Sequence, residues 1–185
     1  KNTSVFDASD LTYGYDSNLR LTSVIGNGSD GYDFHQAGIS GADNFNSYDS
    51  GGNVIHNGKR AFDYNLANQM FSSGANSYLY DGYNRRIKTE DSKGTSYSMY
   101  SQSGRLLYRE TPTGGINYIF LDRKLVAKEG TGVVSSDSIM NYKPFGDSIE
   151  GPKDEVGYTG HKFDTDLGLS YMQARYYDPV IGRFY

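Results

Sequence analysis

The feature that most constrains this chain is a short phrase that recurs along it. An aromatic residue, usually followed by Asp, precedes a small or turn-forming stretch, and a polar and an apolar residue then open the next strand. Five copies begin at Tyr15, Tyr48, Phe62, Tyr80 and Tyr100, the last with Ser in place of Asp. The starts at 62, 80 and 100 lie 18 and 20 residues apart, which leaves room for two strands and two turns. We interpret the chain as a degenerate tandem repeat.

Each position of the phrase has a physical task. The aromatic ring covers apolar area at the end of a strand and leaves a Tyr hydroxyl able to hydrogen-bond. The Asp can accept backbone N–H bonds two residues on, Gly or Asn tolerates positive φ, and the Arg that follows in three copies can lie against a neighbouring ring. We therefore predict structural roles for the wall aromatics Tyr15, Tyr48, Tyr80, Tyr100 and Tyr177 and for the turn residues Asp16, Asp49, Asp81 and Asp178.

Between the phrases, side chains alternate with period two. Thr95, Tyr97 and Met99 fall on one face of a predicted strand, and clusters of Gly, Pro, Ser and Asp separate such segments. Alternation of this kind is typical of half-buried antiparallel strands. Residues 169–177 also alternate, which predicts a strand there. The sequence thus predicts an all-β fold of antiparallel hairpins that form part of a large curved sheet or hollow shell.

The composition favours a wide sheet over a compact sandwich. Only 36% of the 185 residues are apolar even with Tyr counted, and the mean hydropathy is −0.66. A two-layer core would be thin at this length, whereas a sheet with one aromatic-rich face and one wet face fits. Such a sheet has open edges that proteins normally pair or cover. We therefore expect further sheet beside this one, or self-association through the strand edges.

Charge and residue content exclude several classes of protein. The formal charge of −4 excludes a strongly basic nucleic-acid binder, so we predict no nucleic-acid partner. The absence of Cys excludes disulfides, thiolate metal sites and a cysteine nucleophile, and the three His residues are scattered without a metal-ligand spacing. No apolar run reaches the length of a membrane span. We predict no metal, no cofactor and no membrane span.

The last third of the chain carries longer motifs. Residues 142–146 read YKPFG, residues 158–164 read YTGHKFD, and residues 164–184 read DTDLGLSYMQARYYDPVIGRF. Together with the aromatic–Asp phrase, these segments resemble the Rhs/YD-repeat family and its Rhs-repeat-associated core. Leu167 stands where that family usually has Thr. The resemblance divides the chain into YD-type repeats over residues 1–137 and a core segment over residues 138–185.

The resemblance implies a structural role. Family members build a β-sheet that spirals into a hollow shell around a variable C-terminal toxin, and animal teneurins use a similar barrel in adhesion. The chain would be a shell fragment of a secreted or delivered bacterial effector, for example one delivered by type VI secretion. Its partners would be the rest of its own polypeptide, including the toxin cargo. An adhesion or carbohydrate-binding surface is an alternative.

The resemblance also implies self-cleavage as an alternative function. In many bacterial members the core cuts the chain behind itself by a reaction that resembles aspartyl proteolysis, which needs two carboxyl groups that share a proton. Asp164 or Asp166 matches the first member by motif position, and the second Asp-Pro element normally follows the GRF step, after which this sequence stops at Tyr185. We therefore expect no proteolysis from residues 1–185 alone. The other interpretation is that Asp164 and Asp166 only cap the turn at Gly168.

Overall fold

The computed structural model describes residues 11–26, 31–34, 47–122, 124–134 and 140–185. The chain divides into two units, residues 1–61 and residues 62–185. The domain boundary predicted between residues 137 and 138 lies outside the described residues and stays a prediction.

A five-residue loop with one backbone geometry recurs throughout the described residues. In each copy the N–H of the first residue donates to the carbonyl of the fifth, and the N–H of the fourth donates to the carbonyl of the first. The fourth residue is left-handed, with φ between 56° and 92°, which explains the Gly or Asn that stands there in every copy except the one with Leu19. The copies span residues 16–20, 49–53, 65–69, 81–85, 101–105, 143–147 and 157–161.

The first unit contains one regular hairpin among its described residues. Strands β1 (Thr12–Tyr15) and β2 (Leu21–Ile25) pair antiparallel around the loop 16–20. Isolated bridges join Tyr48 to Val54 and His56 to Ala61. Among its described residues, the buried apolar side chains are those of Leu21, Val24, Phe34, Tyr48 and Val54.

The second unit begins with an eight-stranded antiparallel sheet in which every strand pairs with its neighbours in sequence. The strands are β3 (Asp63–Tyr64), β4 (Met70–Ser73), β5 (Asn76–Tyr80), β6 (Arg86–Asp91), β7 (Gly94–Tyr100), β8 (Leu106–Thr111), β9 (Gly114–Leu121) and β10 (Lys124–Glu129). Tyr78, Thr89 and Ser96 lie in register on one face and are buried. Leu79 and Tyr97 lie on the other face and are exposed. One face of the sheet, the covered face, is therefore buried, and the other, the wet face, is exposed to solvent.

A four-stranded antiparallel sheet follows a single 3₁₀ turn (Tyr158–Gly160). Its strands are β11 (Lys162–Asp164), β12 (Leu169–Met172), β13 (Arg175–Asp178) and β14 (Arg183–Phe184). Together the two sheets confirm the all-β, antiparallel prediction. No helix in the described part of the chain is long and apolar enough to cross a membrane.

The single strand predicted for residues 169–177 was wrong. Met172 pairs with Arg175, and Gln173, with φ of 59°, begins a two-residue turn between β12 and β13. The turn inverts the alternation, so Tyr176 rather than Tyr177 pairs with Tyr171 across the hairpin. The alternation in the sequence continues through the turn, and Gln is not a residue that marks a left-handed position.

The third copy of the phrase was placed two residues too early. The prediction started it at Phe62-Asp63, but the loop runs over residues 65–69, and the side chain of Asn65 takes the Asp position. Its Oδ1 accepts N–H bonds from Ala67 and Gln69. Phe62 is instead a buried core residue whose ring packs edge-on against that of Tyr185.

Candidate functional site

The residues on either side of each loop form a pair, which we call the closing pair, and its second member the closing residue. The closing residue follows the fifth loop residue and is paired across the loop with the residue before the first, as Met70 is with Tyr64. Four closing residues are apolar, namely Leu21, Val54, Met70 and Leu106. Three are polar, namely Arg86, Ser148 and Lys162. Paired side chains lie on the same face of a hairpin. A polar closing residue therefore places a charged or hydrogen-bonding group where the other loops place an apolar side chain.

The predicted turn residues Asp16, Asp49 and Asp81 each occupy the first loop position. Asp81 illustrates the arrangement, because one carboxylate oxygen accepts the N–H bonds of Tyr83 and Arg85 while the other accepts the Arg85 guanidinium. Burial would raise the pKa of Asp81, but these hydrogen bonds and the charge of Arg85 outweigh it and lower the pKa. Asp16 and Asp49 accept equivalent bonds from residues 20 and 53.

Arginines at the fifth loop position lie against rings, as the sequence predicted. The guanidinium carbon of Arg20 lies 5.6 Å from the ring centre of Tyr48, and that of Arg85 lies 5.7 Å from Tyr100. In the loop 101–105, Arg105 lies 4.9 Å from Phe120. Each of these three loops thus places a cation over an aromatic ring.

The predicted wall tyrosines join successive loops. The hydroxyl of Tyr48 donates to the carbonyl of Leu21, and that of Tyr80 donates to the carbonyl of Met70. Tyr100 donates in the same way to the closing residue of the loop before it, Arg86. Burial raises the pKa of Tyr48 to about 12 and keeps its hydroxyl protonated as a donor.

The two remaining wall tyrosines have different surroundings. Tyr177 donates from β13 to the carbonyl of Phe145, at 2.8 Å. Tyr15 precedes the first loop and has 44% of its surface exposed.

The buried centre of the second unit is the side chain of Arg86. Its guanidinium forms two hydrogen bonds with the carboxylate of Asp164, at 2.6 and 3.0 Å. The rings of Tyr78 and Tyr171 lie 4.9 and 4.4 Å from its central carbon, and the ring of Tyr176 lies at 5.7 Å. We call these five residues the arginine cluster. It joins β5 and β6 of the large sheet to β11, β12 and β13 of the small one.

A chain of hydrogen bonds extends from the arginine cluster. The guanidinium donates to the hydroxyl of Tyr176, which lies 2.9 Å from the hydroxyl of Tyr80. Tyr80 donates in turn to the carbonyl of Met70. Because Tyr80 uses its proton on Met70, the proton between the two hydroxyls belongs to Tyr176. The chain thus runs in one direction from β6 through β13 to β5 and β4.

A second cation, Lys162, holds the same carboxylate. Its ammonium lies 3.1 Å from Oδ1 of Asp164 and 2.5 Å from Oδ1 of Asp154. Burial would raise the pKa of Asp164, but Arg86 and Lys162 overcome it and hold that pKa well below its usual range. The Asp164 carboxylate is therefore ionised, with cations on both oxygens. Its side chain does not cap the turn at Gly168, so that interpretation was wrong for Asp164; its backbone carbonyl accepts the Gly168 N–H instead.

Asp166, the other predicted catalytic candidate, lies outside the arginine cluster. Its Oδ2 accepts bonds from the backbone N–H and hydroxyl of Ser92, and its Oδ1 lies 3.6 Å from the ammonium of Lys93. These contacts lower its pKa, the hydroxyl bond first. They attach the turn after β11 to the turn between β6 and β7. The catalytic role of Asp164 or Asp166 stays a prediction.

Asp178 lies in the Tyr-Asp-Pro segment at the end of β13 and is buried. One oxygen accepts the N–H of Val180 at 3.0 Å, and the other accepts the hydroxyl of Tyr185 at 2.8 Å. It therefore closes the turn between β13 and β14.

The described residues of the chain contain no group of three or more His, Asp or Glu arranged to hold a metal ion. They do line two cavities of the second unit. One, of about 220 Å³, lies beside the closing residue Ser148, and the other, of about 490 Å³, lies between the loop 101–105 and residues 159–162.

Comparison with known proteins identifies the fold. No family model and no curated protein matches the chain. The Photorhabdus luminescens Tc holotoxin pore with a mutated TccC3 aligns with a TM-score of 0.53 and 17% identity, over 94% of this chain and 12% of that one. The crystal structure of TcdB2–TccC3 aligns with a TM-score of 0.51 and 16% identity over the same shares. The fold is Rhs-like. Alignment at this identity establishes the fold alone, and membership of the Rhs/YD-repeat family stays a prediction.

Sequence reasoning missed the residues that matter most in this site. The sequence analysis gave no role to Arg86, and no local pattern connects it to Asp164, 78 residues away. The loops 143–147 and 157–161 were missed because Lys and Gly occupy the Asp position. Their left-handed Gly146 and Gly160, three residues after that position, were the signal that could have found them.

Proposed function

We propose that this chain is part of the wall of an Rhs-type toxin shell that encloses and helps deliver a C-terminal toxin. The observation that carries the proposal is the arginine cluster, which fixes the small sheet onto the covered face of the large one. The two layers then form one stiff wall with a wet outer face. Such a wall can separate an enclosed polypeptide from proteases and from the rest of the cell.

The tyrosine bonds support the same role. Each joins one hairpin to the carbonyl of the preceding one, so the sheet is held by side chains in addition to its backbone ladder. Strand order follows sequence order, which allows the wall to be extended by adding hairpins at an edge. The similarity to toxin complexes supports a secreted or injected protein.

The roles of Asp164 and Lys162 are, in this proposal, structural. An aspartyl protease needs a carboxyl group that holds a proton, whereas Asp164 is paired with two cations. The ammonium of Lys162 stands between Asp164 and Asp154, where a protease would have a shared proton. We propose encapsulation in preference to self-cleavage for this reason.

A protection experiment tests the proposal. A site for a specific protease would be introduced into the toxin segment of the polypeptide that carries these 185 residues, and its cleavage rate compared with that in the denatured protein. We expect cleavage at least about 100-fold slower in the native protein. Arg86→Met should restore fast cleavage by loosening the wall, whereas Lys88→Met, which changes a cation on the wet face, should not. Fast cleavage in the native wild-type protein would contradict encapsulation.

A further inference from the structure

In five of the seven loops of the described chain, the side chain of the first residue bonds to that of the fifth. In the loop 81–85, for example, the guanidinium of Arg85 donates to the carboxylate of Asp81 at 2.7 Å. The other bonded pairs are Asp16–Arg20, Asp49–Asn53, Asn65–Gln69 and Lys143–Asp147. A carboxylate at the first position is therefore the partner that the repeat itself provides for an arginine at the fifth.

The loops 101–105 and 157–161 lack this bond. The hydroxyl of Ser101 accepts the backbone N–H of Arg105 but does not bond its guanidinium, and Gly157 has no side chain. Among the described residues, the guanidinium of Arg105 has neither a hydrogen-bond partner nor an ion-pair partner. The residue is half-buried, yet none of its unpartnered nitrogens is closed off from solvent. Its donors are therefore accessible to a ligand.

Both exceptional loops border the same cavity, the one of about 490 Å³. Arg105 and His161, the fifth residues of the two loops, line it. Leu106 and Lys162, the closing residues of the same loops, also line it. Sites for small organic molecules have volumes of about 300–1,000 Å³. The two loops that lack an internal bond therefore meet at a cavity large enough for a ligand.

The lining of this cavity combines an unpaired positive charge with apolar surface. The ammonium of Lys162 is already paired with Asp154 and Asp164. Burial lowers the pKa of His161, so its ring is neutral at pH 7. The described residues that line the cavity include no Asp or Glu, which leaves the charge of Arg105 uncompensated. The apolar surface comes from Tyr100, Leu106, Phe120, Leu125, Val156 and Tyr171.

The wall that carries Arg105 is held in place by neighbouring side chains. The amide of Gln173, a left-handed residue with φ of 59°, donates to the carbonyl of Gly104 at 2.7 Å. The guanidinium carbon of Arg105 lies 4.9 Å from the ring centre of Phe120. Contact with a ring uses no hydrogen-bond acceptor, so the N–H groups of the guanidinium stay available for a carboxylate.

We propose that this cavity binds a carboxylate attached to an apolar group, with Arg105 as its anchor. The carboxylate would occupy the place at Arg105 that Asp81 occupies at Arg85, and the apolar group would pack in the same cavity against Phe120. The carboxylate can belong to a small aromatic acid or to the C-terminal residue of a polypeptide, which present the same chemistry. Binding of this kind does not depend on encapsulation.

An NMR titration of the whole 185-residue chain at pH 7 with 2-naphthoate and 2-naphthamide measures the binding, because the two probes have the same ring and differ in charge. We expect shifts in the resonances of Arg105 and Phe120, with 2-naphthoate binding about five- to tenfold more tightly than 2-naphthamide. Arg105→Met should bind the two probes equally. Ser101→Asp should also remove the preference, because its carboxylate takes the place of the ligand's.

The matched control is Arg175→Met, which removes an arginine that lies over the ring of Phe184 but does not line the cavity, and which should leave both affinities unchanged. Ser101→Asp retains every side chain of the lining, so it decides the result if Arg105→Met does not fold. N-acetyl-phenylalanine binding at least as tightly as 2-naphthoate would assign the carboxylate to the end of a polypeptide, and weaker binding would assign it to a small aromatic acid. Equal affinity of the wild-type chain for 2-naphthoate and 2-naphthamide, or a preference that survives in Arg105→Met or in Ser101→Asp, would overturn the proposal.

Discussion

Two consecutive loops of the large sheet, residues 65–69 and 81–85, have the same backbone hydrogen bonds but close on very different residues. The first closes on Met70, an apolar side chain that is almost completely buried. The second closes on Arg86, which is also buried but brings a charge and five hydrogen-bond donors into the interior. The loop fixes where a side chain points, and the identity of that side chain decides what holds the two sheets together.

The two closing residues therefore stabilise the protein in different ways. An apolar closing residue contributes by burial and tolerates small changes in its surroundings. A buried ion pair contributes little net energy when intact, but it is costly to break because the remaining charge has no water around it. Arg86 and Asp164 should therefore behave as an all-or-none unit, unlike Met70.

The largest expected effect is that of Arg86→Met, which gives the second loop the closing residue of the first. It leaves Asp164 buried with Lys162 alone, and we expect the free energy of unfolding to fall by about 3–5 kcal/mol. Urea denaturation followed by far-UV circular dichroism at pH 7 measures it. Lys88→Met, which breaks the exposed pair with Glu90, is the matched control and should change nothing measurable.

The double variant Arg86→Met with Asp164→Leu sharpens the same comparison. Because both charges are replaced by apolar groups, we expect it to recover most of the stability lost by Arg86→Met. A double variant as unstable as the single one would mean that Arg86 acts through its rings and hydrogen bonds to Tyr176 rather than through Asp164.

A second expected effect is a difference in acid sensitivity between wild type and the double variant. The folded-state pKa of Asp164 is lowered, although burial opposes this, because Arg86 and Lys162 stabilise the anion. A carboxyl group whose pKa is lower in the folded state than its unfolded value of about 3.9 stabilises the protein above that value. This stability is complete above about pH 5 and is lost as the pH falls towards the folded-state pKa.

Wild type should therefore lose stability below about pH 5 more steeply than the double variant, by up to about 1.4 kcal/mol per pH unit. Denaturant titrations at pH 7, 5, 4 and 3 measure the two slopes. Parallel curves for the two proteins would contradict the ionised state of Asp164.

Local chemistry predicted one part of this molecule and not the other. The strands and the Asp-closed loops depend on neighbours in sequence, such as Asp81 with Arg85, and were predictable. Three arginines at the end of these loops also lie over rings, as expected. Both Asn and Asp can occupy the first loop position, so the sequence did not decide between Asn65 and Asp63. The predicted start of that loop was therefore two residues too early. The arginine cluster depends on which hairpin faces which, so nothing near Arg86 in sequence indicates Asp164.

A smaller effect is expected from removing one tyrosine hydroxyl that joins the loops. Tyr80→Phe removes the hydrogen bond to the carbonyl of Met70 and takes away the acceptor of the Tyr176 hydroxyl, and we expect a loss of about 1–2 kcal/mol. Tyr83→Phe, at a residue that is 77% exposed, should stay within about 0.5 kcal/mol of wild type. Equal unfolding midpoints in urea for the two variants would show that the tyrosine bonds do not stabilise the wall.

The smallest expected effect is a gain, and it concerns two loops that both end in Arg but begin with different residues. Asp81 accepts the backbone N–H and the guanidinium of Arg85. The hydroxyl of Ser101 accepts the backbone N–H of Arg105 and shares a hydrogen bond with the hydroxyl of Ser103, but it does not bond the Arg105 guanidinium. Ser101→Asp should add the missing bond to the Arg105 guanidinium and stabilise the protein by about 0.5–1 kcal/mol.

Ser101→Ala is the opposite control and should cost about 0.5–1 kcal/mol, because it removes the bond to the Arg105 N–H. The backbone carbonyl of Ser101 already accepts the guanidinium of Arg85, so a carboxylate there lies between two arginines. Thermal unfolding of the three proteins at low and high salt separates the contributions, since screening should reduce only the gain of Ser101→Asp. If Ser101→Asp is more stable than Ser101→Ala but no more stable than wild type, the Asp of the phrase owes its place to the backbone turn alone and not to its arginine.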